Sequence, residues 1–529
     1  VGLIHRFSRI FLGDKEFNKK RYAKHLKNVV NNKICPTCKG QRLNSKILSS
    51  KIMSKNISDF TQMTIKENLE FLNKLEDPTA KYIIDPLKKQ LEALEYIGLS
   101  YLTLNRVTTT LSGGEAQRLK LIRHLNSSLS DLVYIIDEPS VGLHPEDIAK
   151  INEILKSLKE KGNTVLIVEH DPDVIKEGDY IIDMGPGSGK NGGEITFEGT
   201  YNELLSSNTS TGNALRNKHN LKENIREANH FYNIGPVTQN NLNNVKTSIP
   251  KHVLTVLTGV AGSGKSTLVK AGFENNDHTI FIDQKAVQGS NRSNLLTYLG
   301  VFDSVRSYFS KETGLNKAMF SYNSKGACPN CGGKGYIKTE LAFMGDFSQT
   351  CEVCHGKRYK QEVLDATIDG YSIADVLNLT VDEGIIFFDK KNDIKSKLQS
   401  VSKTGLNYMS LGQPLSTLSG GEIQRVKLGQ HLDEEIKNSI FIFDEPTTGL
   451  HESDIPILME CFDDLIDQNN TVILIEHNLS IMCEADWIID VGPGPGLDGG
   501  KVQFSGTPKN FIDSSETLTS KHLKRYINQ

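Results

Sequence analysis

Val253-Leu254-Thr255-Val256-Leu257-Thr258-Gly259-Val260-Ala261-Gly262-Ser263-Gly264-Lys265-Ser266-Thr267 is the stretch on which the fold turns. Val253–Thr258 is apolar and β-branched, the composition of a buried strand. It runs into Gly259-x-x-x-x-Gly264-Lys265-Ser266 and then into the helical segment Thr267–Lys270. Strand, glycine-rich loop and helix in that order predict a phosphate-binding loop in an α/β core. Glycines let backbone N–H groups turn inward around phosphate oxygens, and the helix N-terminus adds favourable dipole charge. Gly259, Gly262, Ser263, Gly264 and Thr267 would form the cradle, with Lys265 reaching the terminal phosphates and Ser266 a ligand of Mg²⁺. ATP with Mg²⁺ is the expected ligand.

The chain repeats itself. LSGGE stands at Leu111–Glu115 and at Leu418–Glu422, and DEP begins at Asp137 and at Asp444. VEH ends at His170 and IEH at His477, and the Asp of IIDxGPG is at 183 and at 490. Each pair is separated by 307 positions (418−111, 444−137, 477−170, 490−183). Two copies of one nucleotide-binding core are implied. The counterpart of Gly259 falls before residue 1, so the first copy lacks its phosphate loop here. With Val1 in place of Met, this reads as the truncation of a longer chain.

Further candidates follow from the strand ends. Ser439–Phe443 is an apolar run leading to Asp444, which would hold Mg²⁺, and Glu445, placed to polarise the attacking water. His477 follows the apolar run Thr471–Ile475, where a neutral imidazole can sense the γ-phosphate. Gln284 ends the run Thr279–Ile282 and is a candidate for Mg²⁺ or the water. The two LSGGE sequences resemble the signature motif of the ABC ATPase superfamily. That resemblance implies that the signature of one core closes on the phosphate loop of the other. Ser112, Gly113 and Gly114 would complete the site formed by the phosphate loop, Gln284, Asp444, Glu445 and His477. Ser419, Gly420 and Gly421 would face Asp137, Glu138 and His170 in a second site without a phosphate loop.

From Gly259 to Ser419 is 160 positions (419−259), longer than a compact ATPase core requires. The insertion holds Cys328-x-x-Cys331 and Cys351-x-x-Cys354, two knuckles suited to tetrahedral Zn²⁺. CPTCKGQRL at Cys35–Leu43 mirrors CEVCHGKRY at Cys351–Tyr359, so Cys35 and Cys38 read as half of a second, incomplete zinc site. Cys461 and Cys483 read as core residues.

The 529 residues carry 61 basic and 64 acidic side chains, a formal net charge of −3. That excludes a wholly basic nucleic-acid binder but not a local patch. The Lys-rich segment Lys15–Lys33 reads first as a solvated helix face. No apolar run approaches the ~18 residues of a membrane span, and no signal peptide is visible at Val1, so the expected setting is cytoplasmic, without a membrane partner.

The narrower resemblance is to the UvrA family, DNA-damage-sensing ATPases of bacterial nucleotide excision repair. It spans nearly the whole chain through CPTCKGQRL, GLSYLTLNR, LSGGEAQRLKL, IIDEPSVGLH, IIDMGPGSGKNGGEI, ACPNCGGKG, CEVCHGKRY, LGQPLSTLSGGEIQRVKL and IFDEPTTGLH. It implies double-stranded DNA as ligand and a homodimer, with any segment for a UvrB-like partner lying upstream. Two stretches depart from the family pattern, Ile337–Thr350 between the knuckles and Lys285–Gly289 after Gln284. The departures leave room for an alternative, a UvrA-like paralogue that protects against DNA-binding drugs. Ribosome-directed ABC proteins and importer subunits leave the zinc modules unexplained. Candidate phosphate contacts are Arg292, Arg306, Lys334, Lys338, Lys357 and Arg358.

The expected fold is therefore α/β: two ABC-type P-loop cores, the first incomplete, with a zinc-bearing insertion. The boundaries read as a remnant over 1–110 and the rest of the first core over 111–215. The second core opens over 216–283, is interrupted by the insertion over 284–415, and closes over 416–529. A first core without its phosphate-loop strand should expose sheet edge and apolar surface.

Overall fold

The computed structural model describes residues 33–528 except 76, 112, 126–128, 218–219, 275, 285–292, 342–344 and 435. The chain divides into two compact units, one of residues 1–76 with 103–106 and one of 77–102 with 107–529. In the first, the described part holds the short helices Ile57–Gln62 and Ile65–Asn73. Each opens on a capping box, from Asn56 to Asp59 and from Thr64 to Glu67, in which side chain and backbone satisfy each other's open N–H groups.

In the second unit, core one contributes β1 (Val133–Asp137), β2 (Thr164–Val168), β3 (Ile181–Gly185) and β4 (Glu194–Gly199). Core two contributes the hairpin β5 (Phe231–Gln239) and β6 (Leu242–Pro250), then β7 (Leu254–Thr258) and β8 (Thr279–Ile282). The insertion adds β9 (Tyr336–Leu341) and β10 (Gly345–Thr350), then the short pair β11 (Thr367–Ile368) and β12 (Tyr371–Ser372). Core two closes with β13 (Ile440–Asp444), β14 (Thr471–Ile475), β15 (Trp487–Gly492) and β16 (Lys501–Gly506).

The sheet of core two runs β16-β15-β7-β14-β13-β8. All pairings are parallel except that of β15 with β16. A parallel sheet covered on both faces needs near-continuous apolar strands, and alternate residues divide between the two sides. Leu254, Val256, Phe441, Phe443, Val472 and Leu474 pack with the helix Ile455–Asp467. Leu257, Ile440, Ile442, Ile473 and Ile475 pack with the helix Lys265–Phe273 and the β5–β6 hairpin. β8 and β13 are parallel neighbours in the sheet, so the chain between Ile282 and Ile440 leaves at the C-terminal end of β8 and returns to the N-terminal start of β13. That excursion has its own core around Phe309, Phe320, Tyr322, Phe388 and Leu398.

Core one shows what β7 does. In core two β7 joins β14 to β15. Among the described residues of core one nothing stands between β2 and β3, and β1–β2 and β3–β4 form two separate two-stranded sheets. Ile135 is 75% exposed and Met184 65%, whereas their counterparts Ile442 and Val491 are at most 1% exposed. Each such side chain forgoes about 1.5–3 kcal/mol of burial. In a polypeptide of residues 1–529 alone, amide exchange over 133–137 and 164–168 is therefore expected to be at least about tenfold faster than over 440–444 and 471–475, read by mass spectrometry. Equal protection of the two sets would overturn this account of the open face.

Candidate nucleotide site and cysteine cluster

β7 delivers the loop Gly259–Gly264, and the helix Lys265–Phe273 starts directly after it. The loop is held from below. Gly262 O accepts from Gly496 N at 3.1 Å and from Asn241 Nδ2 at 3.2 Å, and Ser263 O accepts from Gly500 N at 2.9 Å. The repeated IIDxGPG segment thus braces the phosphate loop. Lys265 is buried, and its Nζ donates to Gly259 O at 2.8 Å and Val260 O at 3.0 Å. Burial lowers its ammonium to about 8 against the pull of Glu445, Asp490 and Asp444. Thr267 Oγ1 accepts from Asn240. Ser266 Oγ lies 3.3 Å from Asp444 Oδ1, two oxygens converging as Mg²⁺ ligands would, and Lys270 reaches Asp444 Oδ2 at 3.2 Å.

Glu445 stands just past β13 in the left-handed region, φ 53°, and Glu138 occupies the same conformation past β1, φ 45°. Desolvation, with Asp444 and Glu476 adding, pushes the Glu445 carboxyl up to about 7. Burial likewise raises Glu138. Burial, then the nearby Lys265, lowers His477 well below the ordinary imidazole value. It is therefore neutral at physiological pH, and its buried Nδ1 has no partner among the described residues. His170 Nε2 lies 3.7 Å from Glu138 Oε1. Gln284 donates to Glu445 O at 3.1 Å and Thr448 Oγ1 at 2.8 Å, so its amide props the Glu445 backbone.

The two cores meet at this site. Tyr101 donates to the signature residue Glu115 at 2.6 Å, and its ring covers Gly262, where a Cβ would meet ring carbons at 2.8–3.0 Å. The signature-bearing segment of core one therefore sits on the phosphate loop of core two. The mirror tyrosine, Tyr408, donates to Glu422 at 2.8 Å and packs on Gly189. Each candidate base faces a glycine of the other core, Glu445 toward Gly142 and Glu138 toward Gly449. Ser419 caps the helix Gly420–Leu432 through a box with Glu422, and Gly421 packs on Thr448. Gly113 opens the equivalent helix of core one, Gly114 packs on Val141, and Ser112 lies outside the described residues.

Sequence reasoning passed over several residues. Besides Tyr101 these are Glu476 and Glu169, the middle letters of IEH and VEH. Glu476 accepts from Thr447 N at 3.0 Å and His477 N at 2.8 Å, and Glu169 does the same for Ser140 and His170. Their recurrence at the repeat offset was the available signal. Gln424, inside LSGGEIQ, ties Ile282 O and Asp444 O together at 3.0 and 2.8 Å.

In the insertion, Cys328, Cys331, Cys351 and Cys354 are all buried, with sulfur atoms within 4.8 Å of one another. Each knuckle closes through a tight backbone turn, Gly332 N to Cys328 O and His355 N to Cys351 O. Hydrogen bonds, led by that of the Cys354 backbone, lower Cys351 to about 6, while burial raises Cys354 to about 12. Four thiolates coexist in such a pocket only around a cation, so the donor set fits a tetrahedral metal ion. Cys35 and Cys38 form the same knuckle turn, Lys39 N to Cys35 O at 2.7 Å. Among the described residues no further cysteine joins them. Cys461 and Cys483 are buried in the core-two apolar cluster.

Of the candidate phosphate contacts, Lys334 and Lys338 are exposed beside the knuckles. Arg306 pairs with Asp303, Lys357 with Asp375, and Arg358 stacks over Tyr322. Arg292, the segment 285–289 and residues 15–32 of the Lys-rich stretch lie outside the described residues.

Residues 242–448 match the family model described as ABC transporter. The chain is 41% identical to UvrABC system protein A of Clostridium perfringens, over 97% of the chain and 59% of that protein. It is 40% identical to UvrABC system protein A of Aquifex aeolicus, over 99% of the chain and 61% of that protein. The crystal structure of UvrA2 from Deinococcus radiodurans matches with a TM-score of 0.90 and 36% identity, covering 99% of the chain and 69% of that protein. The chain belongs to the UvrA family. It spans about three fifths of the curated UvrA proteins it matches. The α/β architecture with ABC-type cores is that of the family, and no described helix is long and apolar enough to cross a membrane.

In this UvrA-family site Gly142 takes φ 66°, and a Cβ there would lie 2.7 Å from Glu445 Oε2. Gly142→Ala should displace the carboxylate. Expected is a fall in ATP turnover of at least about tenfold, with affinity for a fluorescent ATP analogue changed less than about threefold. Unchanged turnover would mean that Glu445 does not work from this position.

Proposed function

We propose that the chain hydrolyses ATP at the site built on Lys265, Ser266, Asp444, Glu445 and His477, and couples that cycle to recognition of damaged duplex DNA. The observation that carries this reading is the Tyr101–Glu115 pair seated on Gly262, which brings the signature segment of one core onto the phosphate loop of the other. Gly259–Gly264 and the helix N-terminus would hold the phosphates through backbone N–H groups. Lys265 would exchange its two carbonyl contacts for phosphate oxygens. Ser266 and Asp444 would hold Mg²⁺, which when bound supplies charge neutralisation at the phosphates. Glu445, unprotonated, would take a proton from the attacking water. His477, neutral, would offer a nitrogen to the γ-phosphate. The sister set Asp137, Glu138 and His170, with Ser419, Gly420 and Gly421, would serve a second site given a phosphate loop from elsewhere in the protein.

Cys328, Cys331, Cys351 and Cys354 are proposed to hold one structural Zn²⁺, which stiffens the β9–β10 hairpin and presents Lys334 and Lys338 to the DNA backbone. Duplex DNA, a second copy of the protein, a UvrB-like partner and a cytoplasmic setting are proposed with the family.

Fluorescence anisotropy on damaged and undamaged duplexes, with and without ATP across a salt series, tests the reading. Tighter ATP-dependent binding to damaged duplex is expected, lost in Lys265→Ala. Binding without lesion preference would favour the paralogue that guards DNA against drugs, and no binding at any salt would overturn the DNA assignment.

For the metal, elemental analysis is expected to find one zinc per chain, absent in Cys354→Ser. Loss of the zinc should weaken DNA binding while leaving ATP turnover within about twofold, because the four cysteines form a cluster of their own, apart from the packing of core two. Full DNA affinity in metal-free protein would remove the zinc module from the interface.

A further inference from the structure

The repeated Gly-Leu-His at His144 and His451, and the Asp of IIDxGPG at 183 and 490, have no part in the ATP site as proposed. The structure joins them across the two cores. His144 of core one is fully buried. It caps the helix Pro145–Glu160, and its Nδ1 accepts the Glu146 N–H at 3.2 Å. In a neutral imidazole one nitrogen accepts and the other donates, so Nε2 carries the hydrogen. It lies 3.0 Å from Thr519 Oγ1 of core two, and Thr519 in turn donates to Asp490 Oδ1 at 3.3 Å.

Asp490 is buried beside the base of the phosphate loop: its Oδ1 is 3.1 Å from where a Cβ on Gly259 would stand. The His144 ring also meets the edge of His477, centroids 6.0 Å apart. A directed chain of hydrogen bonds therefore runs from core one to the underside of the core-two phosphate loop, touching the γ-phosphate sensor on the way.

The mirror exists in the same chain. His451 Nδ1 accepts the Ser453 N–H at 3.2 Å, its Nε2 lies 3.0 Å from Thr211 Oγ1, and Thr211 donates to Asp183 at 2.7 Å. His451 meets His170 at 6.2 Å. The same four-residue arrangement, with the same donor order and ring contact, therefore stands on both sides.

We propose that His144 and His451 are cross-core positioning residues. Each is held in one tautomer by a backbone N–H two residues on, in a helix for His144 and a short 3-10 turn for His451. Each fastens through the opposite core's threonine onto that core's IIDxGPG aspartate, which for Asp490 lies at the base of the phosphate loop, and holds the sensor histidine in place. Closure of the cores and alignment of the site are then one event. The inference rests on the ATPase reading above and adds residues to it.

Three variants separate the relay from simple support. His144→Asn keeps a helix-capping side chain but is too short for Thr519, Thr519→Val keeps shape without the hydroxyl, and Thr519→Ser restores the hydroxyl. His144→Asn and Thr519→Val should each lower kcat for ATP at least about tenfold with KM changed less than about threefold. The double variant should be no slower than the worse single, the non-additivity of residues acting in one chain, and Thr519→Ser should recover most of the rate. Amide exchange over 141–148 and 518–523 should rise in the first two variants and fall back in Thr519→Ser.

Parent-like kcat in Thr519→Val, or losses that multiply in the double variant, would overturn the proposal. Lys265→Ala separates the two readings. A parent rate that does not depend on Lys265 defeats the ATPase assignment, whereas exchange unchanged by His144→Asn and Thr519→Val defeats the relay whatever the rate.

Discussion

The seating of β7 between β14 and β15 is the constraint on which the rest of the nucleotide site depends. Its backbone groups are paired on both sides, so the strand can neither slide nor tilt, and the loop that leaves its end starts from a fixed point. The pairings of β14 and β15 with β7 end at Ile475 and Asp490, at the same edge. His477 and the GPG segment therefore emerge beside the phosphate loop without further adjustment. The C-terminal edge of a parallel sheet is where α/β folds collect ligand groups, and here the sequence order of the motifs is converted into one cluster by strand adjacency alone. Core one gives the contrast: its β1–β4 keep their local pairings, but the two pairs are not knitted into one sheet and their apolar side chains face outward.

Cross-core contacts are built from residues that each core also needs for itself. Glu115 and Glu422 begin the signature helices, and both bind a tyrosine fourteen residues upstream. His144 and His451 cap a helix or turn of their own core before they touch the other. Such double use fixes the side chain before the interface forms, so little rotamer entropy remains to be lost on closure. The interface contacts follow from elements that are already rigid.

Much of this was legible in the sequence because it is local. The phosphate loop, the apolar runs of β7, β8, β13 and β14, and the paired CxxC knuckles each occupy a short window whose composition has one physical meaning. The strand bounds differ by only a residue at some ends. What remained hidden depends on contacts between distant parts of the chain. His144 meets Thr519 across 375 residues, and no window contains both. Gln284 was legible as a candidate for Mg²⁺ or the water from its position after a strand. Its hydrogen bond to the Glu445 backbone, which depends on the pairing of β8 with β13, was not. Tyr101 carried no chemistry of its own in a linear reading, and becomes informative only once Gly262 lies beneath its ring.

The left-handed conformation of Glu138 and Glu445 unites these points. A non-glycine residue there costs about 1–2 kcal/mol, and nothing local in Asp-Glu-Pro favours it. Both cores maintain it with the same supports: the glutamate N–H is bound by the end of the adjacent strand, Val168 O or Ile475 O, and the Gln of the signature helix, Gln117 or Gln424, binds a carbonyl of the Asp-Glu pair. The strained turn aims each carboxylate away from its own sheet and at a glycine of the opposite core. A relaxed turn would carry the carboxylate along the strand direction, with no reach across the interface. Strain held by hydrogen bonds on both sides is thus the local means by which the position of one core's glutamate is made to depend on the other core.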